Sequence, residues 1–229
     1  MKYEYFLLDA DDTIFDFIGA AKWSLKIAFE KFGLEYSDKL FDLFKSKNDE
    51  AWREYEKGKF DKPSLRFYRF YEFFKEAKIN ANPTLVDGVY FDTLCTSSHI
   101  IDGAITFLEN LKTRGEIYLI TNGTTVAQEG RIKASGIGSF LKDVFISDQL
   151  GVAKPEKKFF DIVLESIKKE KGKCVVIGDS LSSDIQGANN AGLDCIWFNP
   201  YRKQNQTSAQ PNYIAENYSE ILEIIDRKV

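Results

Sequence analysis

The chain has 229 residues, enough for one large domain or two modest ones, and its 44% hydrophobic content predicts an ordinary packed core. Its 31 basic and 35 acidic residues give a formal net charge of −4, which argues against binding a nucleic acid polymer through a basic face. A single histidine argues against a Ser-His-Asp triad and against a zinc site that needs two histidines. Catalysis would therefore depend on carboxylates, lysine and a hard metal ion.

The N-terminus and the cysteines indicate a cytoplasmic protein without a membrane partner. Acidic residues occur too early for a secretory signal, and no uncharged apolar run approaches the length of a membrane span. Cys95, Cys174 and Cys195 are odd in number and widely spaced, and the last two lie in apolar runs typical of buried strands. The oligomeric state stays open, and a monomer is compatible with the sequence.

Short apolar runs alternate with helical patterns along most of the chain, which is typical of a parallel α/β sheet. In chain order, the predicted strands are residues 3–9, 116–121, 143–147, 173–179 and 194–199, with an edge strand near Tyr213. The predicted helices are residues 103–114, 124–135, 156–169, 184–191 and 219–227. We therefore expect an α/β fold with a Rossmann-like parallel sheet as its core.

Residues 16–93 interrupt this alternation, because they contain no strand pattern and many aromatic residues. Two groups of apolar residues repeat there at helical spacing, namely Leu25, Ala28, Phe29 and Phe32, and Phe67, Phe70, Tyr71 and Phe74. We expect an all-helical cap over residues 16–93, with the core formed by residues 1–15 and 94–229. The second group is expected to be core of the cap rather than a substrate platform. Arg66, Tyr68 and Arg69 lie off that stripe and could face solvent or substrate.

Polar residues collect after the predicted strands, where ligands bind in an open parallel sheet. In chain order they are Asp9, Asp11 and Thr13, then Thr121, Asn122 and Gly123, then Lys154 and Pro155, then Gly178, Asp179 and Asp184. Aspartates brought together at one edge would repel one another without a cation. A lysine and Mg²⁺ would offset that repulsion, and oxygen ligands suit Mg²⁺.

In this order, the four groups resemble the four motifs of the haloacid dehalogenase superfamily. The resemblance covers the full chain and includes a helical cap inserted after the first motif, the arrangement called C1. It implies a magnesium-dependent phosphomonoester hydrolase that acts through an aspartyl phosphate on Asp9. Asp11 would protonate the leaving oxygen and then deprotonate water, and Lys154 would neutralise charge on Asp9 and the phosphate.

The resemblance also assigns the remaining residues of the site. Those that would bind the phosphoryl oxygens are Thr121, Asn122 and Gly123. Those that would hold Mg²⁺ are Asp9, Asp179, Asp184 and, through its backbone carbonyl, Asp11. The Lys154–Pro155 peptide bond could be cis or trans, and a cis bond would aim the amine back at Asp9.

Each of these groups also has a purely structural interpretation. The Asp9 region could be a solvated strand end, residues 121–123 could be only a turn, and Asp184 could be only a helix N-cap. Lys154–Pro155 is weak evidence by itself, since proline is common at helix starts. The order of all four groups at predicted strand ends favours the catalytic interpretation. His99 is expected to be structural.

Asp12 departs from the superfamily pattern, because most members have glycine at that position. The string from Asp9 to Thr13, together with residues 121–136 and 192–199, resembles the branch that hydrolyses pyrimidine 5′-monophosphates. The favoured substrate is therefore a small phosphorylated metabolite, a nucleoside 5′-monophosphate. A sugar-phosphate phosphatase or a phosphosugar mutase is the alternative among enzymes. A regulatory binding module with an idle site is the alternative among non-enzymes, and the intact set of site residues argues against it.

Overall fold

A computed structural model describes residues 2–227, and in this part of the chain a six-stranded sheet forms the core. The strands are β1 Tyr5–Asp9, β2 Glu116–Thr121, β3 Leu141–Ile146, β4 Cys174–Gly178, β5 Asp194–Phe198 and β6 Tyr213–Ala215. Their order in the sheet is β3-β2-β1-β4-β5-β6, and each neighbouring pair is parallel. The predicted Rossmann-like α/β core is confirmed, including the edge strand at Tyr213.

Four helices lie between β1 and the rest of the sheet in sequence. They are α1 Phe17–Lys31, α2 Asp38–Glu56, α3 Lys62–Ala77 and α4 Pro83–Cys95. Each begins after a residue whose side chain accepts hydrogen bonds from the first turn; these N-caps are Asp16, Ser37, Asp61 and Asn82. The absence of strands from residues 16–93 is thus confirmed. The division into domains stays a prediction, and its boundary after residue 93 falls inside α4.

The remaining helices cover the sheet. They are α5 Ala104–Lys112, α6 Thr125–Ser135, α7 Ser147–Leu150, α8 Lys157–Ile167, α9 Gln186–Ala191 and α10 Tyr218–Asp226. Short 3₁₀ segments occupy Ile137–Phe140 and Lys171–Lys173. The helix predicted over 184–191 begins earlier, because a π-helical turn at Leu181–Ile185 precedes α9. The predicted bounds of the other elements are correct to within two residues.

Alternate side chains of each strand supply two apolar layers, one on each face of the sheet. On one face Leu8 packs with Phe107 of α5 and Ile221 of α10. On the other face Leu7 packs with Phe160 of α8. Burial on both faces explains why the strands are nearly continuous apolar runs, as parallel strands usually are.

Helices α1 to α4 share a separate apolar cluster rich in phenylalanine. Phe44 of α2 lies 5.1 Å from Phe70 and 5.5 Å from Phe73 of α3, measured between ring centroids. Phe29 of α1 stacks on Phe73 at 6.1 Å. Rings at these distances add attraction beyond the area they bury. This cluster gives the four helices a core of their own.

The predicted aromatic stripe of α3 is wrong at two of its four positions. Phe70 and Phe74 are buried as expected, but Phe67 is 53% exposed and Tyr71 is 46% exposed. Phe73 is fully buried instead. The reason is that α3 carries aromatic residues on two adjacent faces, so the helical period fits either one. Which face is buried depends on where α2 and α4 pack.

The cysteines are free, and Cys174 and Cys195 are buried within the sheet, as predicted for small core side chains. None of the helices between residues 2 and 227 combines the length and the apolarity needed to cross a membrane.

Candidate active site

The carboxyl ends of β1, β2 and β4 meet at one edge of the sheet and bring the predicted site residues together. Asp9, the last residue of β1, pairs in register with Ile120 of β2, and Leu8 pairs with Ile177 of β4. A cavity of about 250 Å³ opens at this edge. It is lined by every residue predicted for the site, namely Asp9, Asp11, Thr121, Asn122, Gly123, Lys154, Asp179 and Asp184. Their chemical roles stay predictions.

Lys154 connects the carboxylates of the site. Its Nζ lies 2.6 Å from an oxygen of Asp9, 2.6 Å from an oxygen of Asp184 and 3.0 Å from the carbonyl oxygen of Ile120. Burial by itself would lower the pKa of Lys154, but the two carboxylates outweigh it and raise the pKa of the amine. Lys154 is therefore a permanent buried cation beside Asp9.

Three carboxylates are close enough to share a cation. Oxygen atoms of Asp9, Asp179 and Asp184 lie within 4.8 Å of one another. Burial and the charge of Asp184 raise the pKa of Asp9 to about 8, although Lys154 opposes the shift. Burial and the charges of Asp9 and Asp184 raise the pKa of Asp179 well above its ordinary value. Excess buried negative charge with oxygen donors alone fits a hard divalent cation such as Mg²⁺.

Asp184 is held against the end of β4 by its own loop. Its second carboxylate oxygen accepts a hydrogen bond of 3.1 Å from the backbone N–H of Ser180. A Cβ atom on Gly178 would lie 2.3 Å from this carboxylate, so only glycine allows the approach. The N-cap of the turn is Ser180, and Asp184 lies inside it. The interpretation of Asp184 as a helix N-cap alone is therefore wrong.

The Asp11 carboxylate is bound by two side chains of α6 that the sequence analysis did not identify. Gln128 Nε2 donates to one of its oxygens at 2.7 Å, and the Arg131 guanidinium forms an ion pair with the other. Arg131 is 1% exposed and lies over the ring of Phe15 at 4.3 Å. The Asp11 carboxylate is not part of the three-carboxylate cluster, and a metal contact through the Asp11 backbone carbonyl stays a prediction. A signal was present, since Gln128 and Arg131 have i, i+3 spacing on the helix that follows Thr121–Gly123.

Gly123 serves this contact by lacking a side chain. A Cβ atom at this position would lie 2.1 Å from Gln128 Nε2, so a larger residue would displace the amide that binds Asp11. Thr121 is buried, and its hydroxyl oxygen accepts a hydrogen bond of 3.0 Å from the Gly123 N–H. Residues 121–123 therefore form a turn, and they also line the cavity.

Asn122 was expected to bind phosphate, but its amide bonds to the backbone of Lys154. Its Nδ2 donates to the Lys154 carbonyl at 2.8 Å, and its Oδ1 accepts from the Lys154 N–H at 2.9 Å. Asn122 therefore fixes the loop that carries the catalytic lysine candidate, and a contact with phosphate stays a prediction. The Lys154–Pro155 peptide bond is cis.

Asp12 has a backbone φ of +56°, in the left-handed region. Glycine adopts this conformation without cost and aspartate is among the residues that tolerate it, which is consistent with glycine being usual at this position. Burial, with the charge of Asp11, raises the pKa of Asp12 to about 6. Asp12 lines the cavity beside the predicted nucleophile.

Helices α1 and α2 close the cavity from above the sheet edge. The residues they contribute are Phe17, Asn48, Asp49, Trp52 and Glu56. None of them was identified from the sequence, because nothing in the helical pattern of α2 distinguishes a residue facing the core from one facing solvent. Burial raises the pKa of the Glu56 carboxyl.

Lys62, at the start of α3, links these helices to the loops of the core. Its Nζ donates to the carbonyl of Gly123 at 2.8 Å and to the hydroxyl of Ser147 at 2.9 Å, and it pairs with Asp148 at 2.6 Å. Burial lowers the pKa of Lys62, although Asp148 opposes the shift. A basic residue directly after an N-cap gives no sequence signal for such a contact.

The remaining polar residues singled out in the sequence have structural partners. Arg66 and Arg69 both bond to Asp87 of α4, and the Tyr68 hydroxyl donates to Glu50 at 2.8 Å. His99 lies 2.9 Å from the hydroxyl of Ser97 through its Nδ1 and does not line the cavity, so it is structural as expected.

Known proteins resemble this chain in sequence and in fold. The sequence matches the haloacid dehalogenase-like hydrolase family over residues 3–192. HAD-hydrolase YfnB of Bacillus subtilis is 34% identical over 98% of this chain and 96% of its own. The crystal structure of YfnB bound to magnesium superposes with a TM-score of 0.93 over 99% of this chain and 100% of its own. Pyrimidine 5′-nucleotidase PynA of Streptococcus pneumoniae is 33% identical over 100% of this chain and 98% of its own. Pyrimidine 5′-nucleotidase YjjG of Escherichia coli is 26% identical over 98% of this chain and 99% of its own. The chain belongs to the haloacid dehalogenase-like hydrolase family.

Proposed function

We propose that this protein is a magnesium-dependent phosphomonoesterase that forms an aspartyl phosphate on Asp9 and hydrolyses a nucleoside 5′-monophosphate. One observation carries the chemical part of the proposal. One cavity at the sheet edge contains the Asp9 carboxylate, which accepts a hydrogen bond from Lys154. It also contains the carboxylates of Asp179 and Asp184, which lie within 4.8 Å of it, and Asp11, two residues after Asp9. Phosphoryl transfer depends mainly on such positioning and electrostatics.

In the proposed reaction, an oxygen of Asp9 attacks phosphorus in line with the leaving oxygen, and the ester P–O bond breaks. Asp11 gives its proton to the leaving oxygen and later takes one from the water that hydrolyses the acyl phosphate, which releases inorganic phosphate and restores Asp9. Lys154 holds the attacking carboxylate and adds positive charge near the transferred group. Asp9, Asp179 and Asp184 would hold Mg²⁺, which would offset the negative charge that carboxylates and phosphate bring together.

Arg131 and Gln128 have a positioning role in this scheme. They fix both oxygens of Asp11, so the carboxylate cannot rotate freely above the cavity. A side chain held in place loses less conformational entropy when the transition state forms. Gly123 contributes by leaving space for Gln128.

The substrate part of the proposal rests on relatives and on the shape of the cavity. PynA and YjjG are named as pyrimidine 5′-nucleotidases and match nearly the full chain. Trp52 and Phe17 line the same cavity as Asp9, so a phosphate at the sheet edge would have its leaving group in a cavity with aromatic residues in its wall. A planar base suits such a surface.

The test is release of inorganic phosphate with Mg²⁺ from uridine 5′-monophosphate and glucose 6-phosphate. We expect kcat/KM for the nucleotide to be higher by at least about tenfold, equivalent to roughly 1.4 kcal/mol of transition-state binding. Equal or faster hydrolysis of glucose 6-phosphate would favour the sugar-phosphate alternative. Isomerisation of a phosphosugar without phosphate release would indicate a mutase, and absence of turnover on any phosphomonoester would indicate an idle site.

A further inference from the structure

A buried chain of polar side chains runs from α4 through α3 to α2, whose residues line the cavity. Asp87 of α4 accepts hydrogen bonds from Arg66 at 2.6 Å and from Arg69 at 3.2 Å. Arg69 in turn donates from Nη1 to Oδ1 of Asn48 on α2 at 2.9 Å. Asp87, Arg69 and Asn48 are 6%, 3% and 2% exposed, respectively. Buried polar groups with several partners hold a fixed geometry.

The contact with Arg69 determines which way the Asn48 amide points. A guanidinium has donors only, so the oxygen of the amide must face it. The amide nitrogen then points away from Arg69, and it forms no hydrogen bond with any side chain or carbonyl among residues 2–227. Asn48 lines the same cavity as Asp9 and Lys154. A residue that lines the cavity therefore has an N–H donor without a protein partner, and the contact with Arg69 fixes the orientation of its amide.

Trp52 follows Asn48 by one turn of α2 and lines the same cavity. Residues four apart lie on one face of a helix, so the indole and the amide are neighbours on the face of α2 that covers the site. An aromatic surface beside a fixed donor matches a planar leaving group that has a carbonyl oxygen at its edge.

We propose that Asn48 is a specificity-determining residue, whose Nδ2 donates to a carbonyl oxygen of the nucleobase while the base lies against Trp52. Arg69 and Asp87 are positioning residues that act through the amide of Asn48. This inference rests on the proposed nucleotidase function and goes beyond it, because it assigns base selection to one buried donor. A leaving group without an acceptor at this point gains nothing from Asn48.

The test compares uridine 5′-monophosphate with ribose 5-phosphate, which keeps the phosphate and the sugar but lacks the base. Asn48→Asp preserves shape and the contact with Arg69 but replaces the donor nitrogen by an acceptor oxygen. We expect kcat/KM for uridine 5′-monophosphate to fall by about tenfold or more, mainly through KM, since a buried polar mismatch strongly penalises a substrate. The new carboxylate would also repel the phosphate that both substrates share, so the value for ribose 5-phosphate should fall as well. The loss for uridine 5′-monophosphate should exceed the loss for ribose 5-phosphate by about tenfold, because only the nucleotide has a base to contact.

Two further measurements keep the outcomes separate. Asn80→Asp, at an exposed position after α3, adds the same charge outside the cavity and should leave both substrates unaffected. Calorimetric titration of uridine 5′-monophosphate measures affinity without turnover in a background of Asp9→Asn. The double variant Asp9→Asn/Asn48→Asp should bind the nucleotide about tenfold or more weakly than Asp9→Asn alone.

Arg69→Lys tests the positioning role, because lysine keeps the charge beside Asp87 but cannot bond Asp87 and Asn48 with one planar group. This variant should raise KM for uridine 5′-monophosphate and change its kcat little. Hydrolysis of ribose 5-phosphate should also change little. Equal losses on both substrates, or no loss in Asn48→Asp, would overturn the inference. A wild-type enzyme that does not prefer uridine 5′-monophosphate to ribose 5-phosphate would instead overturn the nucleotide assignment on which the inference rests.

Discussion

The sheet edge and the helices above it are built on different principles. At the sheet edge, Asp9 ends β1 and Asp179 directly follows β4, and backbone hydrogen bonds fix the register of these strands. In helix α2, Asn48 and Trp52 line the cavity from a helix that is packed against α3 and α4 through an aromatic cluster. This difference predicts that changes at the sheet edge affect every substrate, whereas changes on the cavity face of α2 affect substrates selectively.

The largest effect is expected from Asp9→Asn, because an amide cannot form the acyl phosphate. Phosphate release should fall by at least about 10³-fold for nucleotides and sugar phosphates alike. Exposed Asp102→Asn is the matched control and should behave as wild type. A variant with Asp9→Asn that keeps a tenth of the wild-type rate would rule out Asp9 as the nucleophile. A loss confined to one substrate class would contradict the expectation that changes at the sheet edge affect every substrate.

Metal removal should also abolish turnover of every substrate. Three buried carboxylates beside a phosphate need a cation to offset their charge, so a chelator should stop phosphate release and Mg²⁺ should restore it. Mg²⁺ should also raise the melting temperature of the wild type more than that of Asp179→Asn, because binding to the folded state stabilises it. Full turnover in a preparation shown to be metal-free would exclude a magnesium-dependent mechanism.

Within α3, the buried and exposed faces should differ in their effect on stability. Phe73→Ala removes a fully buried ring and should lower the free energy of unfolding by about 3–5 kcal/mol. Phe67→Ala removes a ring that is 53% exposed and should cost less than about 1 kcal/mol. Urea unfolding of the two variants measures the difference. Equal costs would mean that the cap core extends over both aromatic faces of α3.

A smaller loss is expected from Lys62→Met, which removes the contacts of α3 with Gly123, Ser147 and Asp148. Hydrogen bonds from a charged group contribute about 1.5–3 kcal/mol, so kcat/KM should fall by about tenfold if these contacts hold the cap over the site. Exposed Lys39→Met is the control. Because these contacts involve no part of the substrate, the loss should be similar for nucleotides and sugar phosphates, unlike that of Asn48→Asp. Unchanged kinetics would show that the contacts do not affect closure.

The elements of the core could be read from the sequence because parallel strands buried on both faces are short continuous apolar runs. The buried face of α3 could not, because Phe67 and Phe73 fit the helical period equally well. The partner of Asp11 was also missed, although Arg131 occupies a predicted helix. The two residues are 120 positions apart, and the i, i+3 spacing of Gln128 and Arg131 does not by itself show that this face of α6 turns towards the first strand.

The sequence alone determined which residues lie at the sheet edge, since parallel strands place their carboxyl ends together and the polar residues directly follow them. The tertiary structure decided what those residues contact and what covers them. The Asn122 amide bonds the Lys154 backbone, and the Asn48 amide is oriented by Arg69, 21 positions along the chain. The physical reason is that a strand end is located by local backbone geometry. The orientation of a side chain on a helix depends instead on how whole helices pack, and therefore on contacts distant in sequence.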